Sequence, residues 1–406
     1  MYSFTAPFQN PSGSPIRELF KYLGEPGMIS LAGGYPASDL FDAEGLLAAA
    51  AKAWAQPSRC LQYGPTDGLP ELKDEIARIM RQRGVTASPE ALMVTTGSQQ
   101  GFDLLLRVLI SPGDTVITEE PAYPATLQAL KMQRARIVTV PADEGGLDVT
   151  RLAAMLESGE AGGPKLLYTV PTFANPTGAT LSRERRVMLV ELAVRYGFLI
   201  VEDDPYGDLR FSGVPLSPLR ALAETVRGGP AHVVYFGSLS KVVAPGLRVG
   251  WMVAPTDVVR RCVIAKQTAD LCSSPWTQAI ATAYLAQGAL AAHLPRITAA
   301  YRLKCDALCG ELKARFGGAL QFQRPEGGMF VWARTDNVDS SALLQAAIAQ
   351  KVLFVPGNGF FADRVDPLSL RLSFAAPTVE EISEAMSRLA IAYRAVSANV
   401  EANGAT

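Results

Sequence analysis

The chain has 406 residues, 48% of them hydrophobic and 19% charged, which is enough to bury a large core in two domains. A formal net charge of −1 leaves no electrostatic footprint for nucleic acid or an anionic membrane. No apolar run reaches the length of a membrane span, and Met1–Pro15 lacks the basic-then-apolar layout of a signal peptide, so the expectation is a cytoplasmic protein.

The five cysteines, Cys60, Cys262, Cys272, Cys305 and Cys309, are odd in number and show no CxxC spacing, which argues against both a disulfide framework and a zinc knuckle. With only His232 and His293 present, a multi-histidine metal site and a Ser-His-Asp triad are disfavoured, and no metal site is expected. Chemistry then falls to lysine, tyrosine and carboxylates, or to a cofactor.

In chain order, Met1–Pro15 reads as a polar arm, Ile16–Leu23 as a short helix, and Ile29–Pro36 as a strand ending in a glycine turn. Asp42 is placed to cap the alanine-rich helix Ala43–Ala55, and Leu69–Arg83 has helical spacing that stops at Gly84. From Leu92 onward strands alternate with helices. The strands are Leu92–Thr95, Thr115–Thr118, Arg136–Val140, Lys165–Val170, Phe198–Glu202, His232–Phe236 and Val249–Ala254. Helices fall at Gly97–Leu109, Tyr123–Met132, Val149–Leu156 and Arg183–Tyr196, the last with Val187, Leu189, Val190, Leu192 and Val194 on its buried side. Such alternation predicts an α/β domain with a mostly parallel sheet covered by helices on both faces, whose ligand sits beyond the carboxyl ends of the strands. Helices at Asp257–Leu271, Thr277–Gln287 and Ala291–Phe316 lead into a strand-helix mixture that reads as a smaller α+β domain joined by the N-terminal segment. Asn399–Thr406 reads as a frayed tail.

Gly237–Arg248 is the stretch that carries chemistry. A buried-looking strand runs into a small-residue turn holding Ser238, Ser240 and Lys241, and Arg248 precedes the next strand. A lysine between two core strands is costly unless its amine is paired, neutral or covalently used. Ser238, Ser240 and Arg248 form a donor set for a phosphate dianion, and a lysine beside such a cup points to pyridoxal phosphate held as a Schiff base. Other strand ends supply the remaining parts. Gly97, Ser98 and Gln99 open a helix whose free N–H groups can hold phosphate, a pattern that equally fits a capped helix. Tyr123 can stack on a planar ring or serve as a core aromatic. Asn175, in Asn-Pro-Thr-Gly, can be a turn residue or donate to a ring oxygen. Glu202-Asp203-Asp204-Pro205-Tyr206 places acids at the end of a hydrophobic strand, where a pyridinium nitrogen is a suitable partner.

Taken together, Ser30–Gly34, Gln62–Pro65, Thr96–Gln100, Pro171–Gly178, Glu202–Tyr206, Gly237–Lys241 and Gly327–Trp332 resemble the fold-type I pyridoxal-phosphate aminotransferases of class I/II. Within them the chain is most similar to the 2-aminoadipate/kynurenine and broad-range bacterial branch. The resemblance implies an N-terminal arm and part of the small domain at 1–40, a large cofactor domain at 41–290 and a small domain at 291–406. It implies that Lys241 forms the internal aldimine and moves the proton at the substrate Cα. Asp203 would pair with the pyridine nitrogen, Tyr206 and Asn175 would bond the ring's phenolic oxygen, and Tyr123 would stack on the ring. Gly97, Ser98, Gln99, Ser238, Ser240 and Arg248 would hold the phosphate. Tyr63 would reach the phosphate of a neighbouring subunit, making a homodimer with shared sites. On the substrate side it implies Arg371 as the clamp for the α-carboxylate, beside Asn175 and Gly34. Arg17 matches an arginine that can meet a distal carboxylate, and Tyr35 stands where the branch often has leucine.

The activity so implied moves an amino group between an L-amino acid and a 2-oxo acid in a ping-pong sequence. Glutamate/2-oxoglutarate is expected as one pair, with 2-aminoadipate, aromatic or branched aliphatic amino acids as the other. The same cofactor platform also supports lyase chemistry. A ligand-sensing regulator would need a helix-turn-helix module, for which the motifs, starting within the first few dozen residues, leave no room.

Overall fold

In a computed structural model of the chain, residues 2–9, 13 and 15–404 are described. The arm read at Met1–Pro15 therefore lies partly outside them. Eight strands build the large sheet: β1 (Leu92–Thr95), β2 (Thr115–Glu120), β3 (Arg136–Asp143), β4 (Gly146–Leu147), β5 (Leu166–Thr169), β6 (Leu199–Asp203), β7 (Val233–Ser238) and β8 (Gly250–Val253). Their spatial order is β1-β8-β7-β6-β5-β2-β3-β4. The run β7-β6-β5-β2-β3 is parallel, whereas β8 pairs antiparallel with both β7 and β1, and β4 closes a small hairpin on β3. The sheet is thus mixed. The reversal at β8 has a simple cause: the Leu239–Val249 connection is too short for the crossover that a parallel strand requires.

Strands β1, β5 and β7 are buried along their whole length, as a sheet covered on both faces demands. On one face Ile117, Leu167 and Ile200 pack with Leu152 and Leu189 of the helices Val149–Glu157 and Arg183–Tyr196. On the other, Val116, Leu166 and Val201 belong to a larger core that runs on into the C-terminal part of the chain. Val187 and Val194, expected on the buried side of Arg183–Tyr196, are only half-buried; Arg186 is fully buried there instead.

The long helix Ala289–Phe316 leads to a second, antiparallel sheet of Leu320–Phe322, Phe330–Thr335, Ser369–Ser373 and Val355–Pro356, in that spatial order. Ile29–Ser30 pairs parallel with Val352–Leu353, so the N-terminal segment joins this C-terminal unit. Ser373 N–H also donates to the Leu31 carbonyl at 2.7 Å. The tail expected to fray at Asn399–Thr406 instead continues the helix Val379–Gly404, which meets no glycine or proline before its last residue; Ala405 and Thr406 lie outside the described residues. Among the described residues no helix is long and apolar enough to cross a membrane.

Candidate active site

The parallel strands end at one edge of the large sheet, and the loops that follow them converge on a cavity of about 280 Å³. Gly97–Gln99 come after β1, Tyr123 after β2, Asn175 after β5, Asp203 and Tyr206 from the end of β6, and Ser238, Ser240 and Lys241 from the end of β7. Because β8 runs the other way, its entry carries Arg248 to the same edge. The C-terminal sheet contributes Arg371, and the N-terminal segment contributes Arg17, Gly34 and Tyr35.

Lys241 is half-buried and opens onto this cavity, its Nζ donating to the Gly34 carbonyl at 2.8 Å. Burial, with Arg371 and Arg248 as neighbouring cations, pushes its ammonium down to about 8, while Asp203 opposes the shift. Asp203, at the buried end of β6, is pushed up to about 6 by burial and by Asp204, against hydrogen bonding from Tyr168. Its Oδ2 accepts from the Tyr168 hydroxyl at 2.6 Å, and its buried Oδ1 has no hydrogen-bonding partner.

The anion cup forms where the turn after β1 meets the turn after β7. Gly97 has φ +81°, and a Cβ there would lie 2.6 Å from Arg248 Nη2. The absence of a side chain is what lets the guanidinium close on the helix start. Arg248 Nη2 donates to the Thr96 carbonyl at 3.1 Å, and Ser240 N–H donates to Ser238 Oγ at 3.1 Å. Helix Ser98–Leu109 begins with no side-chain cap, which leaves its first N–H groups for a ligand.

On the substrate side, Arg371 is 1% exposed, and its Nη1 donates to Asn175 Oδ1 at 2.7 Å and its Nη2 to the Ala32 carbonyl. The guanidinium lies 4.3 Å from the ring centre of Phe330 and 5.1 Å from that of Phe360. Burial pushes it down to about 10, countered by Tyr206 and Tyr123. Asn175 also hydrogen-bonds Tyr206, whose phenol burial pushes well up. At the mouth, Arg17 is exposed, stacks 5.9 Å from the Phe20 ring centre and lies near enough to Tyr35 to oppose the upward shift that burial gives its phenol.

Thus every residue to which the resemblance gives a cofactor or substrate role lines this cavity except Tyr63, which is 77% exposed and outside it. Of the three acids at the strand end only Asp203 does, Glu202 accepting from the Leu219 and Arg220 N–H groups and Asp204 pairing with Arg83. Sequence reasoning passed over Tyr168, Phe102 and Phe330. Tyr168 sits among the alternating side chains of a buried strand, and only its phenol, a polar group needing a partner, could have drawn attention. Phe330 lay inside a quoted motif without a role; it supports Arg371 and meets the Tyr206 ring edge-on at 5.8 Å.

The residues present fit pyridoxal phosphate. The unpartnered Asp203 Oδ1 can accept from a ring N–H, the Gly97–Arg248 cradle can take a phosphate, and Lys241 reaches the space between them. A protonated heterocycle with an anionic tail uses all three at once, and with this sheet they define a pyridoxal-phosphate-dependent enzyme of fold type I. The chain belongs to the aminotransferases of class I and II, whose family model matches residues 28–389. It is 41% identical over 383 residues to aromatic-amino-acid aminotransferase 1 of Thermococcus litoralis, covering 93% of this chain and 90% of that one. It is 37% identical over 389 residues to the 2-aminoadipate transaminase of Thermus thermophilus, covering 95% of each. The crystal structure of a Pyrococcus horikoshii kynurenine aminotransferase superposes with a TM-score of 0.91 at 36% identity, covering 96% of both chains. The protein is a pyridoxal-phosphate-dependent aminotransferase.

Proposed function

We propose that glutamate and 2-oxoglutarate form one amino donor/acceptor pair and that 2-aminoadipate, aromatic or branched aliphatic amino acids and their oxo acids form the other. The observation that carries this reading is that a buried arginine fork, Arg371, and a second, exposed arginine, Arg17, both line the cavity that holds Lys241. When bound, the cofactor supplies an electron sink for the substrate Cα. Arg371 receives the α-carboxylate in two parallel bonds, helped by the Asn175 amide and the space that Gly34 leaves. Lys241, whose ammonium burial and the neighbouring cations bring down to about 8, takes and returns the Cα proton. Asp203 would hold the ring nitrogen, and Tyr206 and Asn175 would bond the ring's oxygen. Tyr123 would pack against the ring, and Gly97, Ser98, Gln99, Ser238, Ser240 and Arg248 would hold the phosphate. The exposed Tyr63 completes the phosphate site of a second subunit, so the working form is a homodimer. Five unpaired cysteines suit a cytoplasmic enzyme.

The test is a visible absorption spectrum of the reconstituted protein. Glutamate is expected to bleach the cofactor band and 2-oxoglutarate to restore it, while Lys241→Ala binds cofactor without turnover. In steady-state kinetics Arg17→Ala is expected to raise KM for glutamate about tenfold or more, with little change for an apolar amino acid. Equal effects on both would refute the distal-carboxylate role of Arg17.

A further inference from the structure

We propose that Tyr168 is a positioning residue for Asp203, fixing one carboxylate oxygen so that the other is presented to the ring nitrogen of the cofactor. The proposal rests on the reading of Asp203 given above. Tyr168 lies on β5, opposite Val201 of β6, and Val201 and Asp203 project from the same face of their strand. The phenol therefore reaches diagonally along the sheet to the carboxyl, and the 2.6 Å bond to Oδ2 is the result. The Tyr168 side chain is 2% exposed, and its ring packs against Phe102 with centres 5.0 Å apart. Burial and the Asp203 charge hold this phenol protonated, so it remains a donor over the whole working range.

Without that bond two things would change. The carboxyl would be free to turn about its terminal torsion, which is broad and roughly two-fold. Its anionic form would also lose a buried donor, while burial and Asp204 continue to favour the neutral acid. The other groups facing Asp203 are Ser98 and Lys241, which favour the anion, and the phenols of Tyr123 and Tyr206. Ser98 and Lys241 also serve the cofactor's phosphate and the substrate, so Tyr168 is the donor whose whole hydrogen bond goes to Asp203. An Asp203 in its neutral form cannot take a charge-assisted bond from the ring nitrogen.

The experiment is a double-mutant cycle on cofactor affinity with Tyr168→Phe, Asp203→Ala and the pair, joined to infrared titration of the cofactor-free protein. The Asp203 carboxyl band is identified by its loss in Asp203→Ala. Tyr168→Phe is expected to weaken pyridoxal phosphate binding about tenfold, and to do so less than twofold once Asp203 is alanine. In the cofactor-free protein it should keep the carboxyl neutral to higher pH. Should Tyr168→Phe fold poorly, 3-fluorotyrosine at position 168, a stronger donor of nearly the same shape, should move the band the opposite way. An equal loss of affinity in both backgrounds, or an unmoved band, would overturn the proposal, because the ring would then act only through packing. Asp203→Ala binding cofactor as tightly as the wild type would instead overturn the reading of Asp203 itself.

Discussion

Lys241 has to be uncharged to act as a base, and its amine sits in a cavity lined by two guanidiniums near enough to act on it. Burial and the cations Arg371 and Arg248 all disfavour the ammonium, which is why it falls from 10.5 to about 8. The sign gives a prediction. A group with a depressed ammonium is unreactive below its folded pKa and becomes a nucleophile above it. In the cofactor-free protein, labelling of Lys241 by a small amine-directed reagent should therefore rise with pH through a midpoint near 8 and level off beyond it. Arg371→Leu should move that midpoint upward by removing one of the cations. A wild-type midpoint near 10.5, followed by mass spectrometry of the Lys241 peptide, would show an amine that behaves as in water. At this scale the site residues were readable because each stands out from its neighbours: a lysine in a small-residue turn, acids at the end of an apolar strand, an arginine in Leu370-Arg371-Leu372. Tyr168 was not, since a tyrosine in a run of buried residues reads as one more core aromatic.

Helix Arg183–Tyr196 shows why elements are harder to read than loops. Its sequence has an arginine at 183, 185 and 186, in its first turn. In the fold Arg185 lies outside, against Asp143, but Arg186 points inward and is fully buried. Arg186 Nε donates to the Leu181 carbonyl at 2.9 Å. Its Nη2 donates to the Pro171 carbonyl at 2.7 Å and to Thr172 Oγ1 at 2.8 Å, and its Nη1 to the Ser217 carbonyl at 3.2 Å. A single side chain thus ties down the entry of the loop that carries Asn175, which no pattern of hydrophobic spacing could reveal. Replacing it by methionine keeps much of the volume but strands buried acceptors, and is expected to cost about 3 kcal/mol or more in denaturant unfolding. Arg186→Lys should recover little of this, because one ammonium cannot reach acceptors on three separate segments, at Leu181, Pro171–Thr172 and Ser217. Recovery to wild-type stability by lysine would show that charge alone matters at this position. The antiparallel β8 is a second case. Its residues read correctly as a strand, and the sheet is mostly parallel as expected, five of its eight strands forming the parallel run β7-β6-β5-β2-β3. Only the direction of β8 depends on the length of the preceding connection, the short Leu239–Val249 link turning the chain back.

For the whole molecule, the apolar side chains left outside are informative. Leu47, Trp54, Leu61 and Tyr63 are all more than half exposed, and they come from neighbouring stretches of the chain, Trp54 meeting the Trp276 ring edge-on at 5.7 Å. A surface of this kind is costly in water and suits burial against another subunit. The homodimer proposed above gives Tyr63 a partner site to complete, and the two subunits then depend on each other in a way that can be measured. Lys241→Ala should be inactive, and Tyr63→Ala should bind cofactor weakly. When the two variants are mixed, dissociated and reassociated, each mixed dimer contains one site with Lys241 from one chain and Tyr63 from the other. If Tyr63 acts across the interface, that site is intact, so activity and tight cofactor binding should reappear in about half of the molecules with one site each, by random pairing. If Tyr63 acts on its own chain, the mixed dimer holds one dead site and one weak one, and mixing recovers nothing at limiting cofactor. Sedimentation of each parent as a dimer is the control, because a monomer would remove both outcomes and the shared-site reading with them.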